Sequence, residues 1–306
     1  YGDWSSDVCS SDLSNEQLAA QVRADQIDIL FDLMGHTGDR LLAFAMKPAP
    51  LQISWLGYVG TTGLTAMDYL LADRFHVPLG EEPFYTERIL RMPRGYVCYG
   101  PPPQSPVVAP LPALASGQFT FGCFNNANKL SPTLLDTWAE ILHRVPGSKL
   151  LLKNRSFAQP ELRDRLHAHF AQHLIPPQCI LLEAGSPHHE LLASYNRVDL
   201  ALDTFPYSGC TTTCEALWMG VPTITFPGRT FAGRHSTSHL MNAGCEQFVA
   251  ADRSSYIEAA VSWARRQDEL AALRGELRPK LLSSPLGNAA QFATDLLAAL
   301  QQVWGE

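Results

Sequence analysis

Short apolar runs alternate with helical segments along most of this 306-residue chain, and that alternation limits the possible folds more than any other feature. It is clearest after residue 118. There FTFGCF (119–124), KLLLK (149–153), CILLE (179–183) and DLALDT (199–204) each precede a stretch with helical character. Strands joined through helices by short connections pair in parallel. The sequence therefore predicts a doubly wound α/β domain from about residue 118.

Local signals place the helices of this domain. Ser131 and Pro132 have the types preferred at the cap and first position of a helix, and the apolar residues that follow repeat on one face. A second helix is expected to begin near Thr211 and to end at Gly220, two residues before Pro222.

The upstream part shows the same alternation over a shorter length. Residues 27–33, 51–57 and 68–73 are predicted strands, and 39–50 is a predicted helix that prolines stop. The boundaries predicted are 14–100 for the C-terminal part of a first lobe, 101–117 for a proline-rich linker without helix or central strand, and 118–306 for a second lobe with C-terminal helices.

Residues 1–13, YGDWSSDVCSSDL, do not fit this organisation. They lack an initiator methionine and an apolar period, and DWSSDVCSSDL resembles a translated sequencing adapter. We exclude these residues from the fold as a sequencing artefact. The expectation that follows is a fragment whose first lobe is truncated and whose natural sequence continues upstream.

Composition narrows the classes of partner and compartment. A net charge of −7 argues against a broad basic surface for nucleic acid or membrane lipid. Apolar runs fall far short of the roughly 18 residues that cross a bilayer, and no secretory signal is evident. Seven cysteines without regular spacing indicate reduced thiols, so a cytoplasmic protein is expected.

Three loops carry polar side chains directly after predicted strands, where open α/β sheets bind ligands. They are FNNANK (124–129), EAGSPHHE (183–190) and YSGCTTT (207–213). Backbone amides and threonine hydroxyls at a helix start can hold a diphosphate, and Lys129 can add a positive charge. Glu215, one turn into the helix, is placed to bind a ribose diol.

Each of these residues also has an ordinary structural explanation. Threonine at a helix start is often a cap, a lysine after a strand is often solvated, and Glu215 can simply favour the helix N-terminus. Arg234 is either a phosphate-facing arginine or a surface residue. His167, His169 and His173 on a predicted helix favour a solvated polar face over a metal site, and Cys210 with Cys214 are weak evidence for zinc. Motifs of esterases and P-loop enzymes are absent from the sequence.

Several long motifs in order resemble the catalytic region of the protein O-GlcNAc transferase family, glycosyltransferase family 41, in its bacterial form. They include DLMGHTGDRLLAFAMKPAPLQISWLGYVGTTGLTAMDYLLAD, FNNANKLSPTLLDTWAEILHRVPGSKLLL and DLALDTFPYSGCTTTCEALWMGVPTITFPG, followed by AGRHSTSHLMNAGCEQFVA. The similarity extends over about residues 20–300.

The resemblance implies a GT-B architecture, with two Rossmann-like lobes. It also implies inverting transfer of N-acetylglucosamine from UDP-GlcNAc to Ser or Thr hydroxyls of proteins, without a metal or other cofactor. By position, Lys129 corresponds to the lysine that stabilises the leaving diphosphate. The UDP-sugar-binding set implied is Asn126, Lys129, His188, Gly209, Thr211, Thr212, Glu215 and Arg234.

The resemblance assigns the first lobe to the sugar and the acceptor. The residues implied there are Gly35, His36, Gly57, Gly60, Thr61 and Thr62. A histidine near the acceptor and TPR repeats are expected upstream of this chain, so the general base is unassigned. Cys210 departs from the histidine or small residue common before the threonine pair. The alternatives are a UDP-glucose-dependent or non-protein-acceptor glycosyltransferase, and a non-catalytic fragment that binds nucleotide or a partner.

Overall fold

The computed structural model describes residues 13–304, so all of the excluded stretch except Leu13 lies outside the described residues. Within this range the chain forms two compact units. The first comprises residues 13–97 with 293–304, and the second comprises residues 98–292.

The first unit is built on a parallel sheet of four strands in the order β1-β2-β3-β4. The strands are β1 (Ile29–Asp32), β2 (Leu51–Ser54), β3 (Tyr69–Ala72) and β4 (Arg88–Arg91). Every residue of β2 and β3 is buried, and β3 (YLLA) is a continuous apolar run. β2 (LQIS) also buries Gln52, whose Nε2 donates to the Phe44 and Ala66 carbonyls. The sequence did not predict β4, because its RILR pattern has charged ends and an exposed first residue.

Two helices accompany these strands: α1 (Asn15–Ala24) and α2 (Leu41–Ala45). A capping box begins α1, in which the Ser14 side chain accepts from the Gln17 amide and the Gln17 side chain accepts from the Ser14 amide. The α2 helix is shorter than the predicted 39–50. It ends before the prolines because Lys47 adopts a φ of 46°, which is outside the helical region.

The second unit contains a parallel sheet of five strands in the order β7-β6-β5-β8-β9. The strands are β5 (Thr120–Cys123), β6 (Lys149–Lys153), β7 (Ile180–Glu183), β8 (Leu200–Leu202) and β9 (Thr223–Ile224). The chain moves outward from β5 to β7 and then returns, so that β8 pairs with the other side of β5. The strand order therefore reverses between β5 and β8, which is the topological switch point of a doubly wound sheet.

Nine α-helices lie after β4 in the described chain. They are α3 (Pro112–Ser116), α4 (Pro132–Arg144), α5 (Pro160–Gln172), α6 (His188–Ser194), α7 (Thr211–Trp218), α8 (His235–Asn242), α9 (Arg253–Arg265), α10 (Gln267–Ser283) and α11 (Ala289–Trp304). Ser131 caps α4 by accepting from the Leu134 amide, as predicted. Gly220 follows α7 with a φ of 73°, which suits glycine at a helix end.

The proline-rich stretch differs from the expected linker in its local structure. It contains α3, which begins with Pro112 at the helix position where proline is tolerated. The Ala113 amide donates to Asp199 at 2.8 Å, and the buried Arg274 guanidinium donates to the Ala109 carbonyl at 2.7 Å. These side-chain contacts fix the stretch against the second unit.

The C-terminal helix also differs from its predicted place. From residue 293 onward α11 groups with the first unit, although the sequence analysis assigned it to the second lobe. Asp295 pairs with Arg94, and Val303 is buried. None of the described helices is both long and apolar enough to cross a membrane.

Candidate functional site

The loops that follow β5 and β8 meet at the switch point of the second sheet. Phe121 and Gly122 of β5 pair with Leu200 and Ala201 of β8, so both strands end at the same edge. The loop after β5 carries Lys129, and the loop after β8 leads into α7. This edge is where open α/β sheets bind ligands.

Lys129 ends a single 3₁₀ turn, and its side chain reaches across to the β8 loop. Its Nζ donates to the Ser208 carbonyl at 2.6 Å and lies 4.0 Å from the centre of the Tyr207 ring. Burial lowers the pKa of Lys129, and the nearby Asp203 carboxylate partly offsets that effect. The ammonium is therefore held in one place by neutral groups, with its charge available to an anion.

Asn125 joins the lysine to the start of α7, a role that sequence reasoning missed. Its Oδ1 accepts from the Thr212 hydroxyl at 3.0 Å and lies 3.4 Å from Lys129 Nζ. Its Nδ2 donates to Asp203 Oδ1 at 3.3 Å. Two neighbouring amides follow β5, and their sequence alone gave no sign of which one points inward.

Asp203 organises the β8 loop from a buried position. Its carboxylate accepts from the Gly209 amide at 2.6 Å and from the Thr225 hydroxyl at 2.7 Å. Burial raises the pKa of Asp203, and these hydrogen bonds act in the opposite direction. The loop also contains a cis peptide bond between Phe205 and Pro206.

Gly209 is needed for this loop to close. A Cβ atom there would lie 2.7 Å from Thr213 Oγ1, 2.8 Å from Thr212 Oγ1 and 3.0 Å from Asp203 Oδ1. Only a residue without a side chain lets the backbone approach these oxygens. The loop before α7 is thus packed tightly against the polar groups that surround it.

The hydrogen bonds at the first turn of α7 distinguish an ordinary helix cap from a possible anion site. Within the described chain, the N-cap residue Cys210 makes no side-chain cap hydrogen bond to the helix. The threonines are directed elsewhere: Thr212 bonds Asn125, Thr213 bonds Ser236 at 2.7 Å, and Thr211 is exposed. The Thr213 amide donates to the Cys210 carbonyl at 3.1 Å. The amides that begin a helix have no acceptor within it, so the start of α7 can bind an anion.

His188 and Glu215 come together on the same side of the sheet. His188 Nε2 lies 2.8 Å from Glu215 Oε1, with the imidazole half exposed and the carboxylate largely buried. Burial raises the pKa of Glu215, and His188 partly offsets that effect. Both residues belong to the UDP-sugar-binding set that the family resemblance implies, and the structure places them in direct contact.

Two other predicted residues are placed less directly. Asn126 uses its side-chain oxygen to accept from the Asn128 amide, but it also lines an open cleft of about 450 Å³ with Lys129 and Tyr207. Arg234 is buried, and its Nε donates to the Gly228 carbonyl at 2.8 Å. It is therefore neither a surface residue nor a freely extended one.

Cys210 is the residue that departs from the family pattern, and its Sγ lies 3.4 Å from His239 Nε2.

In the first unit, the loops after β1 and β2 are joined through His36. The His36 Nε2 lies 2.8 Å from the Thr62 carbonyl oxygen, and its ring centre is 5.0 Å from that of Tyr58. Gly35 precedes it at the start of a 3₁₀ turn, and its amide donates to Asp32. A Cβ at Gly57 would lie 1.7 Å from the Leu33 carbonyl oxygen, so the two loops pack in direct backbone contact.

Thr61 and Thr62 are both engaged by a carboxylate that the sequence analysis did not identify. Each hydroxyl donates to Glu87, and the Thr62 amide donates to it at 2.6 Å. Glu87 is buried immediately before β4. With Gly60 in the same segment, these contacts fix the predicted sugar-side loop in shape and direct its hydroxyls inward.

A cavity of about 490 Å³ in the first unit is lined neither by the loops that carry His36 and Thr62 nor by those that carry Lys129 and Thr211. Its lining includes Leu51, Tyr69 and Arg88, which begin β2, β3 and β4, together with Trp304. It therefore opens at the amino ends of the strands. Ligands of parallel α/β sheets bind at the opposite edge, so we do not assign it to the candidate site.

Comparison with known proteins decides the family. The sequence profile of glycosyl transferase family 41 matches residues 7–100 and 111–296. The chain belongs to glycosyl transferase family 41. This confirms the resemblance on which the sequence analysis relied.

A curated relative is the "Probable UDP-N-acetylglucosamine--peptide N-acetylglucosaminyltransferase SPINDLY" of Solanum lycopersicum. It is 37% identical over 294 residues, which cover 95% of this chain and 32% of the relative. The chain therefore spans about a third of the length of the curated relatives it matches.

Solved structures confirm the predicted fold class. An O-GlcNAc transferase mutant from Thermobaculum terrenum matches with a TM-score of 0.91 and 40% identity, covering 97% of this chain and 56% of that one. A sucrose-phosphate synthase from Thermosynechococcus elongatus matches with a TM-score of 0.61 and 10% identity, covering 95% and 77%. The second likeness concerns the fold alone. This family 41 chain has the α/β fold of GT-B glycosyltransferases.

Proposed function

We propose that the second unit binds the diphosphate of a UDP-sugar and that the whole protein transfers N-acetylglucosamine from UDP-GlcNAc to Ser or Thr hydroxyls of proteins. The observation that carries this proposal is the first turn of α7, which Cys210 does not cap, beside the positioned ammonium of Lys129. Family membership and the names of the relatives give the reaction class.

The reaction requires the diphosphate to leave with additional negative charge. The acceptor oxygen attacks the anomeric carbon, the bond from that carbon to the β-phosphate oxygen breaks, and the electron pair stays on the phosphate. Lys129 and the amides of Thr211 and Thr212 stabilise this charge, which is greatest after the bond has begun to break. The acceptor proton passes to a general base that we do not assign.

The other residues of the second unit serve the nucleoside and the loop. Glu215 accepts from the ribose hydroxyls, His188 contacts the uracil, and Gly209 lets the backbone approach the phosphates. Asn126 lines the cleft beside Lys129, and the buried Arg234 supports the loop through Gly228. No metal or other cofactor is assigned, because protein donors supply the charge that the leaving group needs.

In the first unit, Gly35, His36 and the segment from Gly57 to Thr62 form one fixed pair of loops. We assign them to the sugar and acceptor. Their rigidity, which comes from the His36–Thr62 and Glu87 hydrogen bonds, suits a surface that positions a reacting group. We also infer a reducing, cytoplasmic location, since the six described cysteines are free thiols.

The nucleotide site is tested by calorimetric titration of the chain with UDP. We expect Lys129→Ala to weaken UDP affinity about tenfold to a hundredfold, because hydrogen bonds to charged groups contribute about 1.5–3 kcal/mol. Lys149→Ala is the matched control. Lys149 begins β6 at the opposite edge of the same sheet, so its loss should leave affinity unchanged. Equal affinities for Lys129→Ala and the unsubstituted chain would refute the assigned role.

The sugar and reaction are tested separately with the full-length protein. UDP-GlcNAc, UDP-glucose and a GDP-sugar are compared as donors to a protein substrate rich in Ser and Thr, with transfer followed by mass spectrometry. Transfer from UDP-GlcNAc alone is expected. Preference for another sugar nucleotide would leave the assigned nucleotide site standing but would contradict UDP-GlcNAc as the donor. Binding of the nucleotide without transfer would favour a non-catalytic nucleotide-binding protein.

A further inference from the structure

Away from the candidate nucleotide site, α4 and the C-terminal end of α5 bring an aspartate and two histidines into one cluster. His169 Nε2 and His173 Nε2 each lie 2.9 Å from Asp136 Oδ1. Their three side-chain atoms lie within 4.8 Å of one another. Among the residues that the structure describes, this is the group of three such side chains that can share a metal ion.

We propose that Asp136, His169 and His173 form a Zn²⁺ site that links α4 to α5. His169 lies in the last turn of α5 and His173 is the residue that follows the helix as its C-cap. Residues four apart at a helix end lie on one side, so this end of α5 presents two ligands to one ion. Imidazole nitrogen and carboxylate oxygen are zinc ligands, and their bonds of about 2.0–2.2 Å put neighbouring ligand atoms about 3.4 Å apart. The two Nε2–Oδ1 distances of 2.9 Å are shorter than that spacing, so these side chains would separate slightly to admit the ion.

The surroundings fit a site that is open on one side. The side chains are 20% exposed at His169, 36% at His173 and 42% at Asp136, so an ion can enter from solvent. Three protein ligands leave a fourth tetrahedral position for water or another molecule. His143 is not part of this group, and its Nε2 lies 2.7 Å from the His173 carbonyl oxygen.

The mixed ligand set also selects the class of ion. Two neutral imidazoles favour zinc and its late transition-metal neighbours over Mg²⁺, which prefers oxygen ligands. Binding at this site should join two helices of the second unit. The folded state is then stabilised by mass action, without a contribution from the nucleotide loops.

The test measures Zn²⁺ binding by calorimetry and the shift in Tm on adding Zn²⁺, with tag-free protein stripped of metal and kept reduced. Zn²⁺ should raise Tm and Mg²⁺ should not. His169→Ala and His173→Ala should each weaken Zn²⁺ binding by at least about tenfold, in line with the loss of a metal-site group. Asp136→Asn removes the carboxylate charge with little change in shape, and it should also weaken Zn²⁺ binding.

His167→Ala is the matched control, because it removes a histidine from the same helix without touching the cluster. Any effect of that substitution on folding appears in the metal-free Tm, whereas its response to Zn²⁺ should equal that of the unsubstituted chain. A competing explanation is zinc held by Cys210 and His239, whose Sγ and Nε2 atoms are 3.4 Å apart. Loss of the response in Cys210→Ser, or its persistence in the His169→Ala/His173→Ala variant, would overturn the proposal.

Discussion

The side-chain oxygen of Asn125 accepts a hydrogen bond from the Thr212 hydroxyl at 3.0 Å, which ties the loop after β5 to the start of α7. The same oxygen lies near Lys129 Nζ, and the amide nitrogen of Asn125 donates to Asp203. One side chain therefore aligns the two groups that we assign to the diphosphate. This contact links positions that the fold brings together from distant parts of the chain.

Asn125→Ala should weaken UDP binding although Asn125 itself is not assigned to the nucleotide. The substitution removes the acceptor that Thr212 and Lys129 share. It also removes the amide that donates to the buried Asp203 carboxylate, and the loss of such a partner costs about 1–3 kcal/mol. Calorimetry should show a loss of affinity together with a lower Tm. Asn128→Ala in the same loop is the control, because the Asn128 contact described is made by its backbone amide. Similar behaviour of the two variants would contradict the role given to Asn125.

Gly209→Ala should lower stability and UDP affinity together. The new methyl group would collide with the hydroxyls of Thr212 and Thr213, and overpacking of this kind costs about 1–3 kcal/mol. Gly275→Ala in α10 is the comparison, since no described atom outside its own helix backbone lies within 4 Å of the Cβ position. That change should be neutral or stabilising by up to about 1 kcal/mol, as is usual for glycine inside a helix. Urea unfolding measures both, and tolerance of Gly209→Ala would argue against close packing of the loop.

Glu215 should make stability depend on pH in a defined direction. Burial raises the pKa of Glu215 above its ordinary value of 4.5, so ionisation costs more in the folded state than in the unfolded state. A raised carboxyl pKa gives stability that is present below the unfolded pKa and is lost as pH rises through the folded pKa. Glu215→Gln removes this loss. The unsubstituted chain should therefore fall in stability relative to Glu215→Gln as pH rises from about 4.5 towards neutrality.

Glu258→Gln provides the control of opposite sign. The hydrogen bond from Arg144 lowers the pKa of Glu258, so its contribution is present above the unfolded pKa and is lost only at more acid pH. Chemical denaturation without nucleotide, repeated across the pH series, should show a flat difference for Glu258→Gln above about pH 5. A flat difference for Glu215→Gln over the same range would contradict the buried environment assigned to Glu215.

Arg274→Met should destabilise the second unit strongly. The buried guanidinium donates to the carbonyls of Ala109, Val198 and Tyr195, and burial lowers its pKa to about 10. Removing the guanidinium takes a donor from each of these carbonyls, although Tyr195 keeps the Val198 amide as a partner. We therefore expect a loss of about 3 kcal/mol or more in the free energy of unfolding.

The control for that substitution is Arg197→Met, which breaks an exposed pair with Glu183. Exposed pairs contribute at most about 1 kcal/mol. Urea midpoints should therefore separate the two variants clearly. Limited proteolysis should also cut residues 100–111 sooner in Arg274→Met, because Arg274 holds the Ala109 carbonyl. Equal midpoints would show that the guanidinium does not anchor the proline-rich stretch.

The sequence predicted most strands because buried parallel strands are apolar on both faces and stand out as continuous runs. It did not predict β4, because the arginines at both ends leave only two apolar residues between them, the half-buried Ile89 and the buried Leu90. It also put 293–306 in the second lobe, since amphipathic character shows that α11 packs against something but does not identify its partner. Assigning α11 required the Asp295 contact with Arg94.

Prediction of the candidate site had a similar limit. Strand ends identified the loops of Lys129 and Thr211 because the edge of a parallel sheet follows from chain order. Side-chain direction does not follow from chain order, so Asn125, Asp203 and Glu87 were missed. Likewise, the spacing of His169 and His173 gives a shared helix face, whereas Asp136 lies 33 residues before His169 and meets it only in the folded structure.

The reversed strand order has a consequence for the order of folding. Lys129 and Ser208 are 79 residues apart in the chain, and β5, β6 and β7 can pair with one another before β8 joins β5. Contacts across such a separation carry a large loop-closure cost and form late when local pairings are available. A chain in which only β5, β6 and β7 have paired would lack the proposed anion site altogether. We therefore expect nucleotide binding at the proposed site to report that β8 has joined the sheet, both in refolding and during synthesis on the ribosome.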